Sequence, residues 1–96
     1  MRRGENARSV NGMTTRLLMV CLGNICRSPT AEGAVRDAIA RHGLDAIVES
    51  RGTAGWHAGR PADPRTIRHA GDRRLDLRGH RARKLVAADL DAFDLV

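Results

Sequence analysis

The sequence predicts an α/β fold with a parallel sheet, and two observations point to it. Short apolar runs alternate with helical patterns along the chain, in the order strand, loop, helix, strand, helix, helix, strand. Aromatic residues are nearly absent, with one Phe, one Trp and no Tyr, so the core has to be built from Leu, Val, Ile and Ala. Such a core suits helices packed on a parallel sheet, and 96 residues give room for one domain.

The first strand, loop and helix are predicted from consecutive stretches of sequence. Leu17–Val20 is a short continuous apolar run, typical of a buried strand, and it leads directly into a loop at 21–27. Beyond Pro29, apolar residues recur at helical spacing, and the helix is expected to end at His42 with Gly43 in the left-handed position that follows many helices.

The second half of the chain is predicted to hold four shorter elements and one loop. The Gly-rich stretch 52–59 has to be a loop, because glycines at this density favour irregular backbone. The elements are, in chain order, a strand at Ala46–Ser50, a helix begun by Asp63 and Pro64 and closed by Gly71, a helical turn at Ala87–Ala92, and a third strand opening at Phe93–Val96.

The two ends of the chain carry separate expectations. Residues 1–12 show no apolar period, so we expect a disordered tail before a domain at 13–96, with Met13 as an alternative start. At the other end, a strand opens at residue 93 and no helix follows to cover its far face. We therefore expect the C-terminal part of the domain to be missing.

The charge and the cysteines exclude several functional classes. The net charge is +6, and every basic residue except Lys84 is an arginine. These arginines lie among carboxylates without aromatic stacking residues, so we expect no nucleic-acid binding and only a field that favours anionic ligands. The longest apolar run, residues 17–22, is too short to cross a membrane. Without a metal-ligand cluster or a signal peptide, the sequence predicts a cytoplasmic protein that uses no metal and no cofactor.

The chemistry is concentrated in the loop between the first strand and the first helix. A phosphate monoester needs several donors converging on its oxygens, and successive backbone N–H groups at a helix N-terminus supply them. Gly23 and Asn24 are the residue types that accept left-handed backbone at low cost. A bare Cys-x5-Arg pattern also arises by chance, but here it follows a strand, contains Gly-Asn and is followed by Ser-Pro at a helix start.

Each polar side chain of the loop has a predicted role. Cys21 lies at the base of the loop as a nucleophilic thiolate, favoured by the helix N-terminus and a nearby cation. Arg27 presents a planar fork to two phosphoryl oxygens. Ser28 donates its hydroxyl to the Cys21 sulfur. Cys26 is expected to form a reversible disulfide with Cys21 under oxidation.

These residues resemble the low-molecular-weight protein tyrosine phosphatases. Residues 20–29, VCLGNICRSP, match that family's signature loop nearly letter for letter, and the likeness runs from about residue 16 to residue 96. The further segments that resemble the family are 49–57, 59–65, 76–85 and 93–96. The resemblance implies a three-layer α/β/α, phosphatase-I-like (Rossmann-like) fold and hydrolysis of phosphotyrosine through a phosphocysteine intermediate.

The resemblance also implies roles residue by residue. Cys21 is the nucleophile, Arg27 holds the phosphate, and Ser28 and Asn24 support the thiolate and the loop. Ser50 and His80 brace Asn24, and Trp56 lines the cleft and helps select aromatic phosphoesters. The substrate-binding residues are expected to be Leu22, Gly23, Asn24, Ile25, Cys26 and Trp56. The expected partners are a phosphotyrosine protein or a small aryl phosphate, with inorganic phosphate as product and inhibitor.

Two departures from the family pattern stand out. Arg51 occupies a position where the family usually has Ala. The family's general acid, an Asp followed by Pro beyond the third strand, is absent, and Asp63-Pro64 matches a different upstream segment. Asp89, Asp91 and Asp94 are expected to be solvated or capping residues. We therefore expect the 96-residue chain to bind phosphate poorly and to turn over slowly.

Three alternatives remain open from the sequence. An arsenate reductase of the same scaffold would need further cysteines, and none follows Cys26. A non-catalytic phosphate or phosphoprotein binder would keep the loop without turnover. A basic nucleic-acid module is supported only by the charge.

Overall fold

A two-stranded parallel sheet forms the centre of the described part of the chain. The computed structural model describes residues 14–96, so the predicted tail at 1–12 and the alternative start at Met13 lie outside the described residues. Strand β1 is Thr15–Cys21 and strand β2 is Ala46–Gly52. They pair in parallel from Thr15 opposite Ala46 to Cys21 opposite Gly52, so both strands end at the same edge of the sheet. The first two predicted strands are present, and each is longer than predicted.

Helix α1, Arg27–His42, connects the two strands and packs on both of them. It ends as predicted, because Gly43 adopts a left-handed φ of 61° that a glycine accepts without strain. Gly33 is buried within the helix, and a Cβ there would lie 2.8 Å from Leu77 Cδ2. The cost of a mid-helix glycine is thus offset by close packing of Leu77 against the helix.

Helices α2, Pro64–Asp72, and α3, Ala87–Ala92, follow β2. Asp63 begins α2 as predicted, since its carboxylate accepts hydrogen bonds from the backbone N–H groups of Arg65 and Thr66, both at 3.1 Å. The prediction that Gly71 closes α2 was wrong by one residue. The left-handed backbone after the helix lies instead at Arg74, with φ 63°.

The predicted third strand is present only as a single bridge. Leu95 pairs with Leu17 in parallel, and the Leu18 N–H donates to the Leu95 carbonyl at 2.8 Å. A second isolated bridge joins Gly52 to Lys84. Strand β1 therefore has neighbours on both sides, and the predicted α/β fold with a parallel sheet is confirmed.

The core is aliphatic, as the composition requires. Leu18 and Val48 of the strands are buried together with Phe93. A second cluster of buried residues, Ala62, Ala70 and Leu77, fixes α2 against the segment that follows it. Among residues 14–96, no helix combines the length and the apolar character that crossing a membrane requires.

Candidate active site

The candidate site is the loop at residues 22–26, between the end of β1 and the start of α1. The end of β2 passes so close beneath it that a Cβ on Gly52 would lie 2.9 Å from the Leu22 carbonyl oxygen and 3.0 Å from Asn24 Cβ. Two backbone bonds fasten the segment after β2 to the same place, from Thr53 N to the Cys21 carbonyl and from Ala54 N to the Leu22 carbonyl, both 2.9 Å. Because the C-terminal ends of both parallel strands lie at this edge of the sheet, the residues that follow the two strands lie close together.

The Cys21 sulfur is surrounded by hydrogen-bond donors. It lies 3.0 Å from the Ser28 hydroxyl, 3.3 Å from the Asn24 N–H nitrogen and 3.4 Å from the Ser28 N–H nitrogen. Partial burial alone would raise the pKa of the thiol, but hydrogen bonds from the Ser28 hydroxyl and from the backbone of Ser28, Asn24 and Gly23 outweigh it and lower the pKa from its usual 9.0. Each of the lowering causes is a hydrogen bond, rather than the nearby cation that the sequence suggested.

Asn24 is the centre of the network behind the sulfur. It is fully buried and adopts a left-handed φ of 59°, the conformation expected for Asn in this loop. Its side-chain N–H₂ donates to Ser28 Oγ at 2.7 Å and to Ser50 Oγ at 2.9 Å. Its side-chain oxygen accepts from the Arg83 backbone N–H at 2.8 Å. That last contact fixes the orientation of the amide, because an N–H can only face the oxygen.

The orientation of Asn24 determines where the two serine hydroxyls point. Each serine accepts one N–H of Asn24, so each has its own O–H left to donate elsewhere. Ser50 donates to the carboxylate of Glu32. Ser28 has the Cys21 sulfur at 3.0 Å and the Arg51 carbonyl at 3.5 Å, and the shorter contact is to the sulfur. The network therefore delivers a proton donor to Cys21 when the sulfur is ionised.

His80 closes the network from the other side. Its Nε2 lies 2.7 Å from the Asn24 carbonyl oxygen, which can only accept, so Nε2 carries the hydrogen. Its Nδ1 lies 4.0 Å from a Glu32 carboxylate oxygen. The structure thus brings Cys21, Asn24, Ser28, Ser50 and His80 together, and the roles assigned to them from the sequence stay predictions. No buried side-chain nitrogen or oxygen in residues 14–96 lacks a partner.

Two contributors to this network were missed from the sequence. Glu32 lies four residues after Ser28 on α1, and that spacing places both on one helix face, a signal that could have found it. The backbone N–H of Arg83 could not have been found, because it depends on the return of a distant segment to the edge of β2. Gly52 N donates to the Arg83 carbonyl at 2.8 Å, and Leu85 N donates to the Gly52 carbonyl at 2.7 Å.

The mouth of the site is exposed. Arg27 is exposed at the start of α1, and within residues 14–96 its side chain makes no hydrogen bond or ion pair. Trp56 is 73% exposed, and Leu22 is 50% exposed. The loop that carries Trp56 lies beside residues 22–26, because a Cβ on Gly23 would lie 3.0 Å from His57 Cδ2. His57 is half-buried against Gly23.

The remaining loop residues occupy the side of the loop that faces α2. Ile25 is half-buried, and its carbonyl accepts a hydrogen bond from Asp63 N at 2.8 Å. Cys26 is exposed at the N-terminal end of α1, and the Thr66 hydroxyl donates to its sulfur at 3.1 Å. Both cysteines are free thiols. Cys26 thus has Thr66 as a hydrogen-bond partner rather than Cys21. The disulfide between Cys21 and Cys26 under oxidation stays a prediction.

The two departures noted in the sequence have structural counterparts. Arg51 is buried, with ion pairs to Glu49 at 2.8 Å and to Asp89 at 3.4 Å. Asp89 was expected to be solvated or capping; it is buried, and it caps α3 by accepting from Val86 N at 2.9 Å. Asp94, an exposed residue, accepts from Arg16 N at 2.7 Å. Throughout residues 14–96, no group of three or more His, Cys, Asp or Glu side chains is arranged to hold a metal ion.

Comparison with known proteins identifies one family. Residues 16–96 match the family model described as low molecular weight phosphotyrosine protein phosphatase. The chain is 45% identical over 86 residues to the low molecular weight protein-tyrosine-phosphatase of Streptomyces coelicolor, covering 88% of this chain and 52% of the relative. It is 42% identical over 83 residues to the corresponding phosphatase of Schizosaccharomyces pombe, covering 83% of this chain and 53% of the relative.

A solved structure agrees with the sequence relatives. The crystal structure of YfkJ from Bacillus subtilis matches with a TM-score of 0.85 and 40% identity, covering 88% of this chain and 55% of that one. The chain spans about half the length of the curated relatives it matches.

Proposed function

Because the chain belongs to the low molecular weight phosphotyrosine protein phosphatase family, we propose that it acts on phosphotyrosine through a covalent phosphocysteine formed on Cys21. The thiolate sulfur attacks phosphorus, the S–P bond forms, and the bond from phosphorus to the phenolic oxygen breaks. Water then attacks phosphorus and the S–P bond breaks. This step releases inorganic phosphate and regenerates the Cys21 thiolate. The observation that carries this proposal is the set of three hydrogen-bond donors around the Cys21 sulfur.

The donors around the sulfur serve both halves of this reaction. They stabilise negative charge on sulfur before attack, and they stabilise it again when the thiolate leaves the phosphocysteine. The Ser28 hydroxyl is the shortest of these contacts and is turned toward the sulfur by Asn24. Ser28 is therefore the group we assign to the leaving thiolate, with Asn24, Ser50 and His80 as its supports.

The phosphoryl group is bound by the loop and by Arg27. Backbone N–H groups of residues 22–26 lie before the N-terminus of α1, whose dipole favours an anion. Arg27 is exposed and without a partner in the described range, so its fork is available to two phosphoryl oxygens. Trp56, on the loop beside Gly23, offers an exposed aromatic face to the phenyl ring of the substrate.

Three carboxylates that could be considered as a general acid for the leaving phenolate already have other contacts in the structure. Asp63 caps α2, Asp89 is paired with Arg51, and Asp94 accepts from the Arg16 N–H. General acid–base catalysis typically contributes about 10²–10⁴-fold. We propose that the 96-residue chain by itself forms the phosphocysteine and turns over slowly, most of all with substrates whose leaving group has a high pKa.

The proposed partners follow from the site. They are a phosphotyrosine protein or a small aryl phosphate, with inorganic phosphate as product and competitive inhibitor. Retaining Cys21 as a thiolate requires a reducing compartment, so we propose a cytoplasmic location.

The test is to trap the phosphoenzyme. The 96-residue chain is mixed with p-nitrophenyl phosphate, quenched in acid, and mapped by peptide mass spectrometry. The proposal expects a phosphate on the peptide that contains Cys21, its loss in Cys21→Ser, and its retention in the control Arg41→Ala, which removes an exposed ion pair with Asp37 on α1. Phosphate binding without any phosphocysteine would contradict the proposal and favour a non-catalytic binder.

A further inference from the structure

Arg51 is a buried arginine that the proposed chemistry does not use. It lies near the end of β2, between Ser50 and Gly52, and its side chain is 6% exposed. A guanidinium removed from water has to be neutralised and hydrogen-bonded, because burying an unpaired charge is strongly unfavourable. The groups that neutralise Arg51 are therefore fixed in position by it.

The partners of Arg51 come from its own strand and from α3. Its Nη2 donates to Glu49 Oε1 at 2.8 Å, and its Nη1 donates to the Ser50 carbonyl at 2.8 Å. Its Nε lies 3.4 Å from Asp89 Oδ2 in α3, and its guanidinium lies 5.8 Å from the centre of the Phe93 ring. Arg51 therefore fastens the short helix α3 and its C-terminal end to β2.

The same cluster reaches the candidate active site through Glu49. Glu49 Oε1 also lies 3.8 Å from Arg83 Nη1, so one carboxylate is shared by two arginines. The backbone N–H of Arg83 is the group that donates to the Asn24 side-chain oxygen. A contact path thus runs from Arg51 through Glu49 and Arg83 to Asn24.

A second connection runs through the backbone of β2. Arg51 holds the carbonyl of Ser50, whose hydroxyl accepts from Asn24. The carbonyl of Arg51 itself lies 3.5 Å from Ser28 Oγ, the same oxygen that lies 3.0 Å from the Cys21 sulfur. Residues 50 and 51 therefore border the network that directs the Ser28 hydroxyl.

We propose that Arg51 is a positioning residue for the phosphate-binding loop. Its buried ion pairs hold Glu49, Arg83 and α3 so that the amide of Asn24 keeps the orientation that turns the Ser28 hydroxyl toward Cys21. Arg51 touches neither the sulfur nor the bound phosphoryl group, and it acts through Asn24. This inference rests on the proposed role of Cys21 as the reactive thiolate.

The test measures the reactivity of Cys21, which a merely structural role of Arg51 would not change. The 96-residue chain and its variants are alkylated with iodoacetamide at pH 6.5, and the rate at Cys21 is read by peptide mass spectrometry apart from that at Cys26. Thermal unfolding is recorded in parallel. The variants are Glu49→Gln, and Arg51→Gln combined with Asp89→Asn, which removes both buried charges together. Arg41→Ala is the control for an exposed arginine in an ion pair.

The proposal expects both variants to alkylate Cys21 about three- to tenfold more slowly than the unmodified chain, since part of one hydrogen bond to sulfur is lost. The control is expected to match the unmodified chain. If the double variant does not fold, Glu49→Gln decides, because the side chain of Glu49 is 37% exposed and tolerates the change.

Failure of the positioning role of Arg51 can be distinguished from failure of the proposed function of Cys21. A lower melting temperature with an unchanged Cys21 rate in Glu49→Gln would show that the cluster only stabilises the fold, and would overturn the positioning role alone. An unmodified chain whose Cys21 reacts like an ordinary thiol would overturn the proposed function, and with it this inference.

Discussion

The floor and the mouth of the candidate site are built on opposite principles. The floor consists of Asn24, Ser28 and Ser50, which are buried and hydrogen-bonded to one another. The mouth carries Arg27 and Trp56, which are exposed. A buried polar network lowers the stability of the fold unless each of its groups is hydrogen-bonded. An exposed cation stays hydrated, so it costs little stability while no ligand is bound. The floor is thus complete without substrate, and the mouth is completed by it.

The first prediction concerns the mouth and has the largest expected effect. Arg27→Ala should slow formation of the phosphocysteine by about 10²–10³-fold, because it removes the only side-chain cation proposed to bind the phosphoryl oxygens. It should leave the melting temperature nearly unchanged, since Arg27 has no partner among residues 14–96. Rapid-quench labelling and thermal unfolding measure the two quantities. A large loss of stability would show that Arg27 belongs to the floor.

The second prediction concerns the floor. Asn24→Ala should lower the free energy of unfolding by roughly 2–4 kcal/mol, because it strands the Arg83 N–H and the serine hydroxyls and forces Ala into left-handed backbone. Urea denaturation measures the change. Asn24→Gly keeps the backbone conformation and separates the two causes. Unchanged stability in both variants would contradict the account of Asn24 as the centre of the network.

A third prediction isolates the contact between the floor and the Cys21 sulfur. Ser28→Ala removes the shortest contact to the Cys21 sulfur and should raise the pKa of that thiol, because a hydrogen bond that stabilises the thiolate is lost. The alkylation rate of Cys21 at pH 6.5 should then fall roughly tenfold, since less thiolate is present. Ser28→Thr keeps a hydroxyl and is the matched variant, with a smaller fall expected. Equal rates in Ser28→Ala and the unmodified chain would show that the backbone donors alone hold the thiolate.

The smallest effect is expected at Trp56. Trp56→Ala should raise KM for an aryl phosphate by a few-fold, roughly the loss of one exposed aromatic contact, and leave inorganic phosphate affinity unchanged. Steady-state kinetics with p-nitrophenyl phosphate, and calorimetry with phosphate, measure these. A weakened affinity for phosphate itself would place Trp56 in contact with the loop rather than with the leaving group.

The sequence predicts the floor better than the surroundings, for physical reasons. Loop conformation and helix ends are local properties, so Asn24, Ser28 and Gly43 could be interpreted from residue type and spacing. The left-handed backbone expected at Gly23 was wrong, since φ is positive at Asn24 and not at Gly23, where a Cβ would instead lie 3.0 Å from His57 Cδ2. The end of α2 was misplaced by one residue, because Gly71 fits a helix as well as a helix end and the actual stop depends on the left-handed backbone at Arg74.

Long-range contacts are what the sequence could not supply. The Arg83 backbone N–H donates to the Asn24 side chain although the two residues are 59 positions apart in the sequence. Any residue with a backbone N–H could make this contact, so residue type does not predict it. The departure from the family pattern at Arg51 could not be explained from the sequence, because nothing in the local pattern pairs residue 51 with residue 89 of α3. The third strand was predicted from its apolar residues, but the structure shows only the bridge at Leu95.

The central claim is that the fold favours the thiolate form of Cys21, and titration of this thiol tests the claim directly. Alkylation of Cys21 is followed from pH 4 to 10, about the range that spans both forms, in the native chain and in urea. A depressed pKa in the fold means that ionised Cys21 contributes stability in full above the unfolded pKa, and that this contribution is lost as the pH falls through the folded pKa. The account predicts a native midpoint below 9.0 that returns to the ordinary value in urea. Identical midpoints in the native and unfolded chain would contradict it.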